Sequence, residues 1–385
     1  MDDIYFSKKP KKNDDSFDIP AINIPDINPK QNGNGYGYTD RDNYAPYRGK
    51  EKKQKNKSSK EPAPGTDKNK KKKKKGCFNP VRKLAFILVI VFLASYLLVA
   101  GAAAISGYQR IPLHRNSYIT SSQLNSNPFV KNILLLGVDG DDSSGSLRSD
   151  SMILVSLDTI HGKIKLSSFM RDSWVQIPGH RFAKLNAAYS LGGAQLVADT
   201  IEYNFKVNIN DFVLVDFTMF TDIIDALGGV DVEVTPAEAK FINRTTRHTI
   251  ESGEQVHLDG AKALVYCRIR KLDSDYMRTY RQRKVIKALL EKVNVANAPK
   301  LFAAFFRVIP KIQTNMNPFE IACLAYRVGF SAIFFDVQST RIPTDSTSWS
   351  GTEGTQSVVE LDVTANADYL YNFIYTASAE PADNS

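Results

Sequence analysis

Residues 84–105, LAFILVIVFLASYLLVAGAAAI, run for 22 positions without a charge. A helix of that length extends about 33 Å, enough to cross the hydrocarbon core of a bilayer. No other stretch is so long and apolar, which excludes a polytopic membrane protein and divides the chain at this point. The charge divides there too. Residues 1–83 hold 22 Lys+Arg against 11 Asp+Glu, and the rest of the chain holds 28 against 30. The overall charge of +9 is therefore a property of the tail and gives no reason to expect nucleic-acid binding by the folded part.

Residues 1–83 read as a disordered basic tail. They lack an apolar period and carry twelve Lys between Lys52 and Lys75, so they bury too little apolar surface to offset their chain entropy. Such a tail either fixes topology or docks on anionic inner-leaflet lipid or an acidic partner. With Arg82 and Lys83 flanking the apolar run, the positive-inside rule predicts a single-pass protein of the cell membrane. Its N-terminus is cytoplasmic and everything after 105 is outside. A cleaved signal peptide ending at Ala102-x-Ala104 competes with this reading, but its charged leader would exceed 80 residues, which favours an uncleaved anchor. Residues 106–130 read as a stalk, 131–375 as the folded domain and 376–385 as a C-terminal tail.

Strands are expected at 131–138, 151–157 and 163–170, the last two joined through a turn at His161–Gly162. A helix follows at 193–205, then a strand at 212–217, a helix at 218–226 and a strand at 230–234. Asp259 and Ser274 are positioned to cap helices reaching 266 and 293. Further helices are expected at 300–309 and 318–329, the second capped by Asn317 with Pro318 at its first position. A strand at 332–337 and a helix at 367–375 complete the pattern. This order predicts an α/β fold, a mixed central sheet flanked by helices, preceded by one transmembrane helix. Cys267 and Cys323 are the only exported cysteines, and their spacing does not decide whether they pair. The absence of a C-x-x-C pair or a His cluster gives no reason to expect zinc.

Three hairpin-linked strands make an antiparallel meander. The end of the first, the start of the second and the end of the third then share one sheet edge. Asp139, Arg148 with Asp150, and Arg171 with Asp172 occupy those places. Carboxylates mixed with guanidiniums suit a divalent cation shared with a phosphorylated substrate; surface ion pairs at strand ends are the plainer reading. The second constellation is 268–284, where seven of 17 residues are basic. On a helix from 274, Arg278, Arg281 and Gln282 are neighbours, and Val285, Ala288 and Leu289 continue that side as an apolar row. An anionic head group with a lipid tail would fit there, as would a solvated basic helix. Asp275 lies within this arginine field, either as an ion-pair partner or as a general base. The dense apolar run 301–309 suits core packing or a slot for a prenyl chain.

The motifs NILLLGVD (132–139), LRSDSMILVSLD (147–158), SFMRDSWVQIPG (168–179), KLNAAYSLGG (184–193), VDFTMFTDIIDALGGVDVEV (215–234) and LDGAKALVYCRIRKLDSDYMRTYRQRKVI (258–286) resemble the LytR-CpsA-Psr family. The resemblance implies an extracytoplasmic α/β/α domain in a Gram-positive-type envelope. It implies transfer of a polyprenyl-(pyro)phosphate-linked glycopolymer, teichoic-acid-like or capsule-like, to peptidoglycan, assisted by Mg²⁺ (or Mn²⁺). The implied partners are the lipid-linked glycan donor, the peptidoglycan acceptor and the membrane, with no nucleic acid. By the same resemblance Asp139 and Asp150 look like metal ligands. Arg148, Arg171, Arg268, Arg270, Arg278 and Gln282 look like the phosphate-binding set. Asp150, Arg171 and Asp275 look like the catalytic residues, Asp275 as base. Lys184 and Asn186 fall in a family motif without an assigned role. The chain departs from the family pattern after Asp139, where Gly140 is followed by Asp141 and Asp142 instead of an arginine. A polyprenyl pyrophosphate hydrolase, a non-catalytic regulatory lipid-binding protein and a DNA-binding regulator using the Lys tail are the alternatives.

Overall fold

The computed structural model describes residues 80–138 and 149–377 other than 271 and 273, with the backbone alone at 80–86, 88 and 295. The basic tail 1–79, Cys77, the loop 139–148 with Asp139 and Arg148, and 378–385 lie outside the described residues.

In chain order the elements are α1 (Pro80–Ile105), β1 (Gln109–Arg110), β2 (Val130–Val138), β3 (Ser149–Asp158), β4 (Lys163–Phe169), β5 (Trp174–Gln176), β6 (Phe182–Lys184) and α2 (Ala187–Phe205). Then come β7 (Asp211–Val215), α3 (Phe217–Ala226), β8 (Val230–Val234), α4 (Pro236–Thr246), β9 (Gly253–Leu258), α5 (Gly260–Cys267) and α6 (Asp275–Glu291). The chain continues through α7 (Ala298–Val308), β10 (Gln313–Thr314), α8 (Pro318–Phe334), β11 (Asp336–Ile342), β12 (Ser348–Glu353), β13 (Gln356–Leu361) and α9 (Val363–Tyr375).

The main sheet has the order β1-β10-β7-β2-β3-β4-β11. Its centre, β2-β3-β4, is the expected antiparallel meander, and β7 and β11 join it in parallel. Side chains alternate across the pleat. Leu134, Leu136, Met152 and Leu154 face one side, where α2 and α9 cover them. Ile133, Ile153 and Leu157 face the other, against Ile286 and Leu290 of α6 and Leu324 and Val328 of α8. Burial on both faces is why the meander strands read as nearly continuous apolar runs. A second core under α3, β8, α4 and α5 packs on the far side of α6, with Val285 and Ala288 inside it.

Several boundaries differ from expectation. The run 332–337 is not one strand: α8 continues to Phe334, and β11 starts at Asp336. FSAIFF is equally apolar at both periods; the helix prevails because Ala332 and Val328 reach the sheet one turn apart. The helix expected at 193–205 starts at Ala187 but breaks at Gly193, whose φ of 63° only glycine adopts readily. Residues 106–130 supply β1 to the main sheet and bury Asn116 and Ile119, so they pack on the domain rather than stand off as a stalk. Cys267 and Cys323 are both free thiols, the first buried and the second exposed. Among the described residues no helix is long and apolar enough to cross a membrane.

Candidate functional site

Asp150, the second residue of β3, is the hub. The register of β2 on β3 shifts between Gly137 and Val138, so Val138 lies opposite Ser149. Gly137 is required by this approach: a Cβ there would stand 2.9 Å from the Cβ of Ser151. At this edge Arg171, just past β4, donates to one oxygen of Asp150 at 2.8 Å, and Arg270 donates to the other at 2.9 Å. Arg278 of α6 donates through Nη2 to the backbone oxygen of Asp150 at 3.0 Å and to Asp275 at 3.1 Å. Arg171 Nε also lies 3.4 Å from carboxylates of Asp172 and of Asp275. Gln282, one turn beyond Arg278, accepts a 3.0 Å bond from Ser151.

The electrostatics follow from burial and company. Burial opposes ionisation of Asp150, but Arg171, Arg270 and Arg278 together outweigh it and hold the carboxyl below its ordinary range. Asp275 goes the other way: it is more deeply enclosed, and burial raises its pKa against the pull of Arg278 and Arg171. Burial, with Arg171 and Arg270 nearby, pushes Arg278 down to about 10 despite the opposing pull of Asp275. The Arg278 side chain is 2% exposed, and its Nε and Nη1 make no hydrogen bond among the described residues. Buried guanidinium donors left unspent beside other guanidiniums are suited to a polyanion, and a planar fork matches two phosphoryl oxygens.

The sequence-predicted residues thus divide. Asp150, Arg171, Arg270, Arg278, Asp275 and Gln282 converge at one edge. Arg268 stands at the same edge on the β7 side, its guanidinium 4.2 Å from the ring centre of Phe217, the residue that opens α3. Asp139 and Arg148 lie outside the described residues. Arg281 does not join the site: it is buried in an ion pair with Glu238 at 2.6 Å and donates to the carbonyl of Ile269. Val285 and Ala288 likewise belong to the second core, and Leu289 packs against it. The apolar residues that follow Gln282 on the sheet side are Ile286 and Leu290.

Other contributors have no role assigned from the sequence. Lys184 holds Asp172 at 2.9 Å, and the backbone N–H groups of Leu185 and Asn186 bond to the carbonyls of Ser173 and Arg171. The KLN segment therefore fixes the loop that presents Arg171. Arg341, buried in β11, stacks 4.3 Å over Tyr276 and donates to Met170 Sδ, bracing both Asp275 and Arg171 through their chain neighbours. A lone Arg in a strand gives no signal of such a role. The donor chemistry fits a hard divalent cation at Asp150, which is ionised, partly exposed and offers only oxygen. Among the described residues no group of three or more His, Cys, Asp or Glu is arranged to hold a metal.

The LytR_cpsA_psr family model matches residues 104–370, well over half of the chain. The chain is 32% identical over 280 residues to the polyisoprenyl-teichoic acid–peptidoglycan teichoic acid transferase TagV of Bacillus subtilis, covering 67% of this chain and 71% of that one. It is 31% identical over 278 residues to the TagU transferase of the same description from Enterococcus faecalis, covering 70% and 86%. Its fold is similar to that of TagT bound to LIIa-WTA, with a TM-score of 0.56 at 25% identity over 69% of this chain and 99% of that one. With the family model matching residues 104–370 and the family motifs in order along the chain, the protein belongs to the LytR-CpsA-Psr family.

Proposed function

We propose that this protein transfers a glycopolymer from a polyprenyl diphosphate carrier to peptidoglycan on the outer side of the membrane. The observation that carries the reading is the convergence of Arg171, Arg270 and Arg278 on Asp150, with two buried donors of Arg278 unspent among the described residues. The relatives named above are teichoic acid transferases, which supports the substrate class. Ile286 and Leu290, following Gln282 toward the sheet, give the prenyl chain an apolar layer beside the phosphate site.

In the reaction, a sugar hydroxyl of peptidoglycan attacks the glycan-bearing phosphorus. One P–O bond forms to that oxygen, the bond to the bridging oxygen breaks, and polyprenyl phosphate leaves. The hydroxyl proton passes to Asp275, whose raised pKa suits a base better than that of Asp150. Arg171, Arg270 and Arg278 bind and orient the diphosphate and neutralise charge growing on its oxygens. Mg²⁺ (or Mn²⁺) held by Asp150 and Asp139 would add Lewis-acid stabilisation of the phosphoryl oxygens. The 22-residue uncharged run 84–105 lies within the single helix α1, which supports reading α1 as the membrane span, its basic N-terminal flank in the cytoplasm.

The test supplies the full-length protein with a polyprenyl-diphosphate-linked glycan, peptidoglycan and Mg²⁺. Wall-linked polymer and polyprenyl phosphate are the expected products; free polymer alone would mean hydrolysis. Chelation should abolish transfer and Mg²⁺ should restore it in the wild type, whereas Asp150→Asn should need far more metal. Transfer indifferent to chelation would remove the metal from the scheme.

A further inference from the structure

The outer half of α1 is not free. Phe92 meets Tyr326 of α8 edge-on at 5.0 Å, Tyr96 donates to the carbonyl of Phe319, and Tyr326 donates to Ser95 Oγ. Val99, Ala100 and Ala103 are buried beneath α8 and its neighbours. These contacts set the height of α8 along α1. Phe92 precedes Ile105 by 13 residues, which is about 20 Å of helix. If everything packed on α1 stood in water, only 84–91 would remain to cross the core. That stretch is about 12 Å long, against the ≈30 Å of hydrocarbon. Either α1 does not span, or the face of α8 beside it shares the hydrocarbon.

The composition of that face agrees with the second choice. Phe319, Tyr326, Phe330, Ile333 and Phe334 fall on one stripe of α8. Phe330 is 58% exposed and Phe334 is 68% exposed, although both are large and apolar. On α7, Phe302 and Phe306 are exposed as well. Between α1, α7 and α8 runs an apolar groove of ≈ 980 Å³, lined by Phe92, Leu93, Phe302, Phe330 and Ile333 among others. Among the described residues Arg327 is the single charged one lining it, and its long stem can carry the guanidinium to the rim. Ion pairs bound the face: Lys163 with Asp336 beyond the end of α8, and Arg307 and Lys311 with Asp222 beside α7. An exposed aromatic and aliphatic face edged by paired charges matches the boundary between acyl chains and head groups.

We propose that the α7–α8 face is seated in the outer leaflet, its occupant being the acyl chains of the bilayer, so that the domain is embedded at one side as well as tethered. The inference rests on α1 being a membrane span. The test uses the full chain carrying Cys77→Ser in phosphatidylglycerol–phosphatidylcholine nanodiscs. Exposed Cys323, which lines the groove, is labelled with bimane; buried Cys267, its thiol pushed up to about 12 by burial, stays unreactive. Two further proteins, in a Cys77→Ser, Cys323→Ser background, carry the label at Val89→Cys on α1 or at Tyr371→Cys on α9 across the sheet. Phosphatidylcholine brominated on its acyl chains should quench Cys323 and Val89→Cys alike and leave Tyr371→Cys bright. Quenching at Val89→Cys without quenching at Cys323 would overturn the seating while leaving the span. No quenching at either would overturn both. Loss of Cys323 quenching on adding polyprenyl diphosphate would give the groove to the donor's chain, and Cys323 shielded from lipid together with cross-linking between copies would give it to a second protomer; either result defeats the proposal.

Discussion

Arg278 and Arg281 are three residues apart on α6, both are buried, and each touches a carboxylate, yet the structure gives them different work. Arg278→Lys keeps the charge beside Asp275 but removes the fork, including the Nε and Nη1 donors that no described residue satisfies. One charge-assisted hydrogen bond is worth about 1.5–3 kcal/mol, so the donor's kcat/KM should fall by about 10- to 150-fold. Arg281→Lys disturbs the ion pair with Glu238 and the bond to Ile269, which tie α6 to α4 and to the segment after α5. That change should cost about 1–3 kcal/mol of stability and leave donor kcat/KM within about threefold. Initial rates of wall-linked product at varied donor concentration, paired with thermal unfolding of the same preparations, separate the two effects. Full donor kcat/KM in Arg278→Lys would refute the assignment, as would parallel losses of rate and stability in both variants.

Other consequences follow from the same contacts. Burial raises Asp275, so its basic form is lost as pH falls through a value above the ordinary carboxylate range. Transfer should show an acid limb there, and Asp275→Asn should lower turnover by about 10²–10⁴-fold and abolish the limb in a pH–rate profile. Lys165 is buried against Asp158 and donates to the carbonyls of Ile374 and Thr376, stapling α9 to the sheet. Lys165→Met should cost about 3–5 kcal/mol in urea unfolding, and adding Asp158→Asn should recover part of it. Asp158 is held below its ordinary range despite burial, chiefly by bonds from Lys165 and His161. Its contribution is thus present above the unfolded carboxylate pKa and lost as pH falls through the lowered one, and an acid titration of stability should be shallower in the double variant. Gly137→Ala should push Ser151 and Gln282 apart at a cost of about 1–3 kcal/mol, read as a lower unfolding midpoint with reduced transfer; unchanged values for both would contradict the close approach.

The meander was legible because a strand buried on both faces writes itself as an apolar run, and three such runs in succession, the last two joined by a short turn, admit few topologies. That pattern alone brings Asp150 and Arg171 to one edge. The direction taken by the α6 side chains was not legible. A helix that is apolar on one side announces its facing, but α6 lies between two cores, with Ile286 and Leu290 toward the sheet and Val285 and Ala288 away from it. The sequence cannot say on which side of that divide Arg278 and Arg281 fall, because the answer rests on Glu238, 43 residues away in the chain. Arg341 was hidden for the same kind of reason, since its partners Tyr276 and Met170 come from distant elements. By contrast α4, not among the expected helices, carries a readable signal in its capping box, Thr235 with Glu238.

The charge balance of the cluster explains why its parts are arranged as they are. Three guanidiniums and Lys184 face three carboxylates, Asp150, Asp172 and Asp275, so the described site carries an excess of positive charge. The excess is felt most at Arg278, the most enclosed of the guanidiniums, where burial and the neighbouring arginines both disfavour the charged form. A carboxylate added there would neutralise the excess permanently and occupy the donors. A diphosphate relieves the same strain only while it is bound, and relieves it more fully than the monophosphate left on the prenyl carrier after transfer. Among the described residues the cluster therefore favours the substrate's charge over the product's, and the cost of keeping three arginines close together is offset by the ion pairs with Asp150 and Asp275.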